Sequence, residues 1–299
     1  MKEAYLAIVN PAAGGGRGKK LIGPALERLR AGGIEVEIKE TLAPGQGSEI
    51  TRQAWAEGYR RFIAVGGDGT SYEIVNGLFP AQHEIPPTLA FLPLGTGNSF
   101  LREFSNRGVE HAIEALLAHR TQPCDVLRLE YEGGVLHYIN LLSMGFAADV
   151  ATLRARRFSH WGELGYQASI FISLARLRRR PFPLRVDQNG EIDRRPCLFL
   201  TFNNSKYTGG TMLIAPKAEV SDGLIEYVRW GPIGRLGLIR NLPTLYDGTH
   251  IQHPLAERHA ARQIDFFLDG PVDIMVDGEV LSLRCQKLDV LPLALNVVV

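Results

Sequence analysis

The first 120 residues alternate short apolar runs with helix-like stretches, and glycine-rich turns join one to the next. "AYLAIVN" (4–10) is closed by "PAAGGGRG". "KKLIGPALERLRAGG" (19–33) then sets Leu21, Ile22, Leu26 and Leu29 at helical spacing before the stop at Gly32 and Gly33. "IEVEIKET" (34–41) alternates apolar and polar residues as a half-buried strand does, and "GSEITRQAWAEGY" (47–59) reads as a helix with Ser48 as its N-cap. "RFIAVGG", "TSYEIVNGLF", "TLAFLPLG" (88–95) and "VEHAIEALLAH" (109–119) continue the pattern as strand, helix, strand, helix. Strands separated by helices of this length predict a parallel sheet covered on both faces.

Past residue 122 the texture changes. "CDVLRLEYEGGVLHYINLLSMGF" holds two alternating runs around Glu132, Gly133 and Gly134, the pattern of a β-hairpin. One long helical region follows over about 147–178, then "FPLRVDQNGEIDRRPCLFLTFNNS" as a second turn-joined strand pair. The last third is mostly strand and turn. With 299 residues, more than one hydrophobic core is expected. The predicted fold is an α/β parallel-sheet domain over 1–121 and an antiparallel β-sandwich (or distorted barrel) over 122–299. The last strand is allowed to return to the first domain, and a crevice lies between the two.

Several classes drop out on composition. A net charge of +1 does not call for a nucleic-acid partner. Cys124, Cys197 and Cys285 lie far apart, without disulfide or zinc spacing, which fits a reducing cytoplasm. The N-terminal apolar run is too short for a signal peptide, and no stretch reaches the roughly 18–20 apolar residues that span a bilayer. The chain has no GxxxxGK[ST], no strict GxGxxG, no HExxH and no GxSxG, so P-loop, Rossmann, zincin and hydrolase-elbow chemistry are not indicated.

What remains is a set of glycine turns at strand ends: "NPAAGGGRG" (10–18), "GGDGT" (66–70) and "LPLGTGNS" (92–99). Ligands of open α/β sheets bind beyond the carboxyl ends of the strands. Backbone N–H groups in glycine turns and at helix starts make anion sites there. A single such turn is equally a plain βα connection; three at corresponding strand ends point to a phosphate-bearing ligand.

"GGDGT", preceded by "NPAAGGGRGKK" and followed by "LPLGTGN", "CDV" (124–126), "NLLSMGFAADV" (140–150), "APKAEVSDGLIEYV" (215–228) and "VDGE" (276–279), resembles the diacylglycerol-kinase catalytic family. That group includes bacterial lipid kinases and sphingosine kinases. The resemblance runs in order along nearly the whole chain. It implies an ATP-dependent lipid kinase with its active site in the cleft between an α/β nucleotide-binding domain and a β-sandwich. Nucleotide contacts would come from Asn10, Gly14, Gly15, Gly16, Gly66, Gly67, Gly69, Thr70, Gly95, Thr96, Gly97, Asn98 and Asp125. Glu279 would be the general base for the lipid hydroxyl, with Asp68 its orienting partner or substitute. Mg²⁺ would neutralise phosphate charge, and Asp222, with the carbonyls of Glu219 and Leu224, would hold a metal ion in a structural or allosteric site.

One departure bears on the substrate. Diacylglycerol kinases of this family usually carry Asp after the Asn of "GTxN", and this chain has Ser99. The sphingosine-kinase branch also lacks that Asp, so the substrate stays open between a diacylglycerol-like and a sphingoid lipid. Two alternatives remain: a nucleotide- or lipid-binding regulator without catalysis, and an NAD kinase relative. The latter should lack the match through "DGE". As for partners, "LRARRFSHWGELGYQASIFISLARLRRRPF" (153–182) mixes seven arginines in two clusters with Phe158, Trp161, Phe171 and Phe182. That composition suits either a solvated amphipathic helix packed on the β domain or the anionic inner face of a membrane, with Arg178, Arg179 and Arg180 in contact. A second copy of the chain, forming a homodimer, is the other partner considered.

Overall fold

The computed structural model describes residues 2–11, 13, 18–79, 84–93, 98–158, 161–188 and 190–299. In the first part β1 (Tyr5–Val9), α1 (Gly18–Ala31), β2 (Val36–Glu40), α2 (Gln46–Ala56), β3 (Arg61–Gly66), α3 (Asp68–Leu78), β4 (Thr88–Pro93) and α4 (Val109–Leu117) alternate. The strands run parallel in the order β2-β1-β3-β4. β1 is buried along its whole length because both faces are covered. Leu6 and Ile8 pack with Ala54, Ile74 and Leu78 of α2 and α3. Tyr5, Ala7 and Val9 face the other way, against Leu26 and Leu29 of α1 and Leu116 of α4.

The remaining elements are β5 (Thr121–Tyr131), β6 (Gly134–Tyr138), β7 (Leu141–Gly145), α5 (Phe146–Arg157), α6 (Gly162–Ala175), β8 (Leu184–Val186), β9 (Phe199–Asn203), β10 (Tyr207–Thr208) and β11 (Met212–Leu213). They continue with β12 (Ile225–Trp230), α7 (Arg235–Asn241), α8 (Thr244–Asp247), β13 (Ala256–Ala261), β14 (Gln263–Phe266), β15 (Val272–Val276), β16 (Glu279–Leu283) and β17 (Cys285–Val298). β17 lies parallel to β4 at Asn296 and Val297, so the first sheet extends without a break into β5, β6, β14 and β8. The other large sheet, β13-β12-β9-β7-β15-β16, is antiparallel throughout. One face of it packs on the extension of the first sheet through Leu142, Met144, Phe202 and Ile274, opposite Leu127, Leu129 and Tyr138. The protein is therefore an α/β parallel-sheet half joined to an antiparallel sandwich, as the sequence predicts.

Four local expectations change. The helical region over 147–178 is two helices, α5 and α6, folded against each other. A Cβ on Gly165 would come within 2.6 Å of the Phe158 carbonyl, so that glycine permits the tight return. β8 and β9 are not a hairpin: β8 joins β14 in the first sheet, and only single bridges, Arg180 to Cys197 and Leu184 to Asp193, link the two flanks. Alternation marks a strand but not its partner. α7 and α8 occupy ground the sequence reading left to strand and turn. Ser48 does not cap α2; its hydroxyl donates to the Glu73 carbonyl, while the Glu73 carboxylate accepts the amides of Gly45 and Gly47 at 2.7 Å. Among the described residues no helix is long and apolar enough to cross a membrane.

β17 serves both halves, and Leu295 is fully buried beside the α/β core. Leu295→Ala should lower unfolding free energy by about 2–5 kcal/mol. Urea titration should show the midpoint moving at unchanged slope.

Candidate active site

The glycine turns define one wall of the site. β3 ends at Gly66, Gly67 is extended, and α3 begins at Asp68 with no side-chain cap bond at its N-terminus. A Cβ on Gly66 would overlap the Thr70 hydroxyl and lie 3.6 Å from Cβ of Asn10, so only glycine fits between the ends of β1 and β3. The buried Thr70 hydroxyl has no hydrogen-bond partner among the described residues. A helix start without a cap, with a buried hydroxyl lacking a partner beside it, is a site for an anion. Asn98 immediately precedes Ser99 in the chain; Gly14, Gly15, Gly16, Gly95, Thr96 and Gly97 fall outside the described residues.

The facing wall comes from the sandwich. Asp277 and Gly278 form the two-residue turn between β15 and β16, both at positive φ (44° and 89°), the type I′ geometry that Asp-Gly favours. The Asp277 side chain turns inward and accepts the backbone amides of Ile139 (3.0 Å), Asn140 (3.1 Å) and Leu141 (2.9 Å). The turn reaches the α/β half: a Cβ on Gly69 would stand 2.6 Å from Glu279 Oε1, and one on Gly278 3.9 Å from Cβ of Asp68. Asp68 Oδ2 accepts the Ser99 amide at 3.1 Å. The Ser99 hydroxyl in turn accepts the Gly210 amide at 3.0 Å. Ser99 thus links the α/β half to the β10–β11 hairpin with neutral hydrogen bonds, where a carboxylate would bring charge. Glu103, in the turn after it, holds Lys206 in an ion pair across the same boundary.

Three carboxylates share this space. Burial pushes Asp68 up to about 6, against the pull of its hydrogen bonds from Ser99 and Phe100. Burial pushes Asp277 up to about 7, with the charge of Asp68 adding to it. Glu279 is raised by burial and then by Glu73. Neighbouring acids that resist ionisation suit a cation or a proton in transit. Mg²⁺ fits Asp68 and Asp277 on this ground, since both are oxygen donors whose like charge it would relieve. Among the described residues no three His, Cys, Asp or Glu side chains converge as a metal cage.

Below this acidic end a cavity of about 590 Å³ runs into the sandwich half. Asp68, Ser99 and Asp277 line one end; Phe146, Val150, Ile170 and Leu242 are among its apolar walls. Its floor is the free face of the antiparallel sheet, where Ser143 presents a fully buried hydroxyl with no hydrogen-bond partner among the described residues. Its roof is α5 to α8. A pocket with polar groups at one end and a long apolar body takes an amphiphile.

Asn10, Gly66, Gly67, Asp68, Gly69, Thr70 and Glu279 meet at this junction. Asp125 does not join them: its carboxylate accepts the amides of Gly223 and Leu293 at 2.7 Å each, pinning two loops. Asp222 is exposed beside it and accepts the Leu224 amide at 2.9 Å. Burial, then the charges of Asp125 and Glu219, raise its pKa. Sequence reasoning missed Asp277 and Ser143. Asp277 was visible in "VDGE" but reads as a turn residue, and nothing in one dimension separates Ser143 from sheet interior.

Comparison with known proteins follows the same division into two parts. Residues 4–129 match the diacylglycerol kinase catalytic domain, and residues 140–299 the YegS C-terminal NAD kinase beta sandwich-like domain. "Diacylglycerol kinase" of Mycobacterium tuberculosis is 27% identical, covering 97% of this chain and 93% of its own. "Probable lipid kinase YegS-like" of Chromohalobacter salexigens is 34% identical, covering 82% and 80%. The crystal structure of a diacylglycerol kinase from Bacillus anthracis superposes with a TM-score of 0.71 at 22% identity, over 99% of this chain and 96% of that one. Both halves fall in a single class, lipid kinases that join an α/β half to a β-sandwich. The chain belongs to the diacylglycerol kinase catalytic-domain family.

The raised carboxylates give the folded protein a pH signature. A folded pKa above the unfolded value stabilises below the unfolded pKa, and that stability is lost as pH rises through the folded value. Between pH 4 and 8, Asp68→Asn should therefore gain on wild type by on the order of 2–3 kcal/mol, because it has no buried acid to ionise. Urea titrations across that range check the sign; a constant difference between the two proteins would refute it.

Proposed function

We propose that the protein is an ATP-dependent kinase that transfers the γ-phosphoryl group to the hydroxyl of a diacylglycerol-like or sphingoid lipid. The observation that carries this is the cavity: an apolar body ends at Asp68 and Asp277, with Glu279 next to Gly278 of its lining, directly against a helix start suited to phosphate. The lipid tail occupies the apolar body, and its hydroxyl rests at Asp68, Ser99 and Asp277. Gly278 lines the cavity and Glu279 follows it, against Gly69, so Glu279 stands where the hydroxyl meets the nucleotide. Glu279 takes the hydroxyl proton as the new O–P bond forms and the bond to the β-phosphate oxygen breaks, releasing ADP. Its raised pKa brings it nearer the working pH, as a general base requires. Asp68 and Asp277 orient the hydroxyl. Mg²⁺, held by the same two carboxylates when bound, neutralises phosphate charge. Asn10, Gly66, Gly67, Gly69, Thr70 and Asn98 contact phosphates. Asp222 with the carbonyls of Glu219 and Leu224 is proposed as a second, structural Mg²⁺ site. The working location is the cytoplasmic side of a membrane, where such lipids are reached.

Transfer of labelled γ-phosphate to a panel of lipid alcohols in the presence of Mg²⁺ tests the reading. Glu279→Gln should lower kcat by about 10²–10⁴-fold with ATP binding retained. Activity in Glu279→Gln equal to wild type would remove Glu279 as base, and ATP binding without product from any lipid would make the protein a regulator.

Gly66→Ala gives an independent check on the phosphate wall. The added methyl displaces the Thr70 hydroxyl, so ATP affinity should fall at least tenfold in calorimetric titration, with far-UV dichroism unchanged. Unaltered affinity would place the nucleotide elsewhere.

A further inference from the structure

The roof of the cavity has an outer side, and that side is unusually apolar for a surface. Leu236 is 84% exposed, Leu164 76%, Phe171 67%, Trp161 63%, Tyr246 56% and Ile239 49%. All six lie on or at the start of α6, α7 and α8. The inner sides of the same helices wall the cavity through Ile170, Leu238, Leu242 and Leu245. The helices hold together as a rim: Arg235 at the start of α7 donates to the carbonyls of Leu174 (3.2 Å) and Ala175 (2.9 Å) at the end of α6. These are carbonyls that α6 itself cannot satisfy. Tyr246 belongs to both sides, being exposed and also a lining residue. The apolar surface is therefore continuous with the cavity interior.

Around the patch cationic side chains predominate. Arg156 and Arg157 close α5, Arg176, Arg178 and Arg179 follow α6, and Arg240 ends α7, all exposed. The acids beside them are fewer: Asp149 pairs with Arg180 at 2.6 Å, Asp273 with Arg156 at 3.7 Å, and Asp247 is exposed with a hydrogen bond from Thr249 at 2.6 Å. The structure also corrects the sequence reading of this region. Arg180 is committed to Asp149, Phe182 is buried in the sandwich core, and Phe158 is half-buried with its ring 5.7 Å from that of Trp161. Half of the exposed apolar surface instead comes from α7 and α8, some 60 to 80 residues further along the chain.

We infer that this composite face, α6 together with α7 and α8, is a docking surface for the anionic leaflet of a bilayer, with the cavity mouth opening into the leaflet. Exposed aliphatic and aromatic side chains ringed by arginine match the depth profile of an interface, apolar in the middle and cationic at headgroup level. A fluid apolar phase is also the one partner that meets the patch and leaves the cavity open behind it. A lipid then passes between α6 and α8 without crossing water. That last step rests on the lipid-kinase reading; the docking does not.

Co-sedimentation with vesicles, without nucleotide, tests the docking. Wild type should bind vesicles of phosphatidylcholine with phosphatidylglycerol, bind phosphatidylcholine alone more weakly, and lose the difference in high salt. Phe171→Asp combined with Leu236→Asp should cut binding at least tenfold, and Arg178→Glu with Arg179→Glu should abolish the preference for the anionic lipid. Leu42→Asp, an exposed leucine just after β2, should bind as wild type does. Equal unfolding midpoints show that the variants are folded, and phosphorylation of a short-chain, detergent-dispersed lipid alcohol should be unchanged in all of them. Failure of wild type to bind either vesicle overturns the docking, as do variants that bind like wild type. So does a dimer in sedimentation velocity that Leu236→Asp dissociates, which would assign the face to a second copy. Vesicle binding by a wild type that phosphorylates no lipid leaves the docking standing and removes the kinase reading alone.

Discussion

One buried carboxylate ties the molecule together. Asp277 accepts three successive amides, those of Ile139, Asn140 and Leu141, just where the chain leaves the first sheet at β6 and enters the antiparallel sheet at β7. The Asp277 amide donates back to the Leu141 carbonyl at 3.0 Å. Burying a carboxylate is unfavourable, and three amide donors offset part of that. The arrangement fixes the crossover, and with it the height at which the β15–β16 turn meets Asp68. Positioning of the sandwich and assembly of the acidic site are one event.

The rest of the architecture holds this contact in register. β17 pairs with β4 at one end and with β5 along most of its length, so the two halves share a sheet. Asn76 on α3 adds a brace, exchanging hydrogen bonds with the His137 backbone on β6 at 2.8 and 2.9 Å. The helix that begins at Asp68 is thereby tied to the strand that precedes the crossover. Ser99 closes the opposite side with two hydrogen bonds, so the span over the cleft survives without a carboxylate at that position. A serine donor to Asp68 lacks the repulsion a second acid would add, which leaves Asp68 governed chiefly by burial.

Much of the fold was legible because its signals are local. Parallel strands buried on both faces read as continuous apolar runs, and helices between them read by their period. The glycine turns were legible as a set, and the Asp68 and Glu279 turns each carried a recognisable motif. Ser48 looked like a cap because serine caps helices often, yet Glu73, 25 residues away, has the stronger acceptor and took the α2 amides. Phe182 looked like an interface aromatic because arginines precede it; packing placed it in the core. The break between α5 and α6 turned on Gly165 meeting Phe158, a contact between helices that helical periodicity does not record.

The sequence by itself determined the elements, the chemistry present at each turn and the family, since propensity, periodicity and motif spacing are properties of neighbouring residues. Only the tertiary structure decided which turns face each other. Asp68 and Asp277 are 209 positions apart, and their shared acidity exists only because two sheets bring them together. The same holds for the cavity: its walls are apolar residues that in one dimension match any core, and their emptiness is a fact of packing. Asp125, beside a family motif, went to two loop amides for the same reason, because hydrogen-bond partners are assigned by space and not by sequence distance.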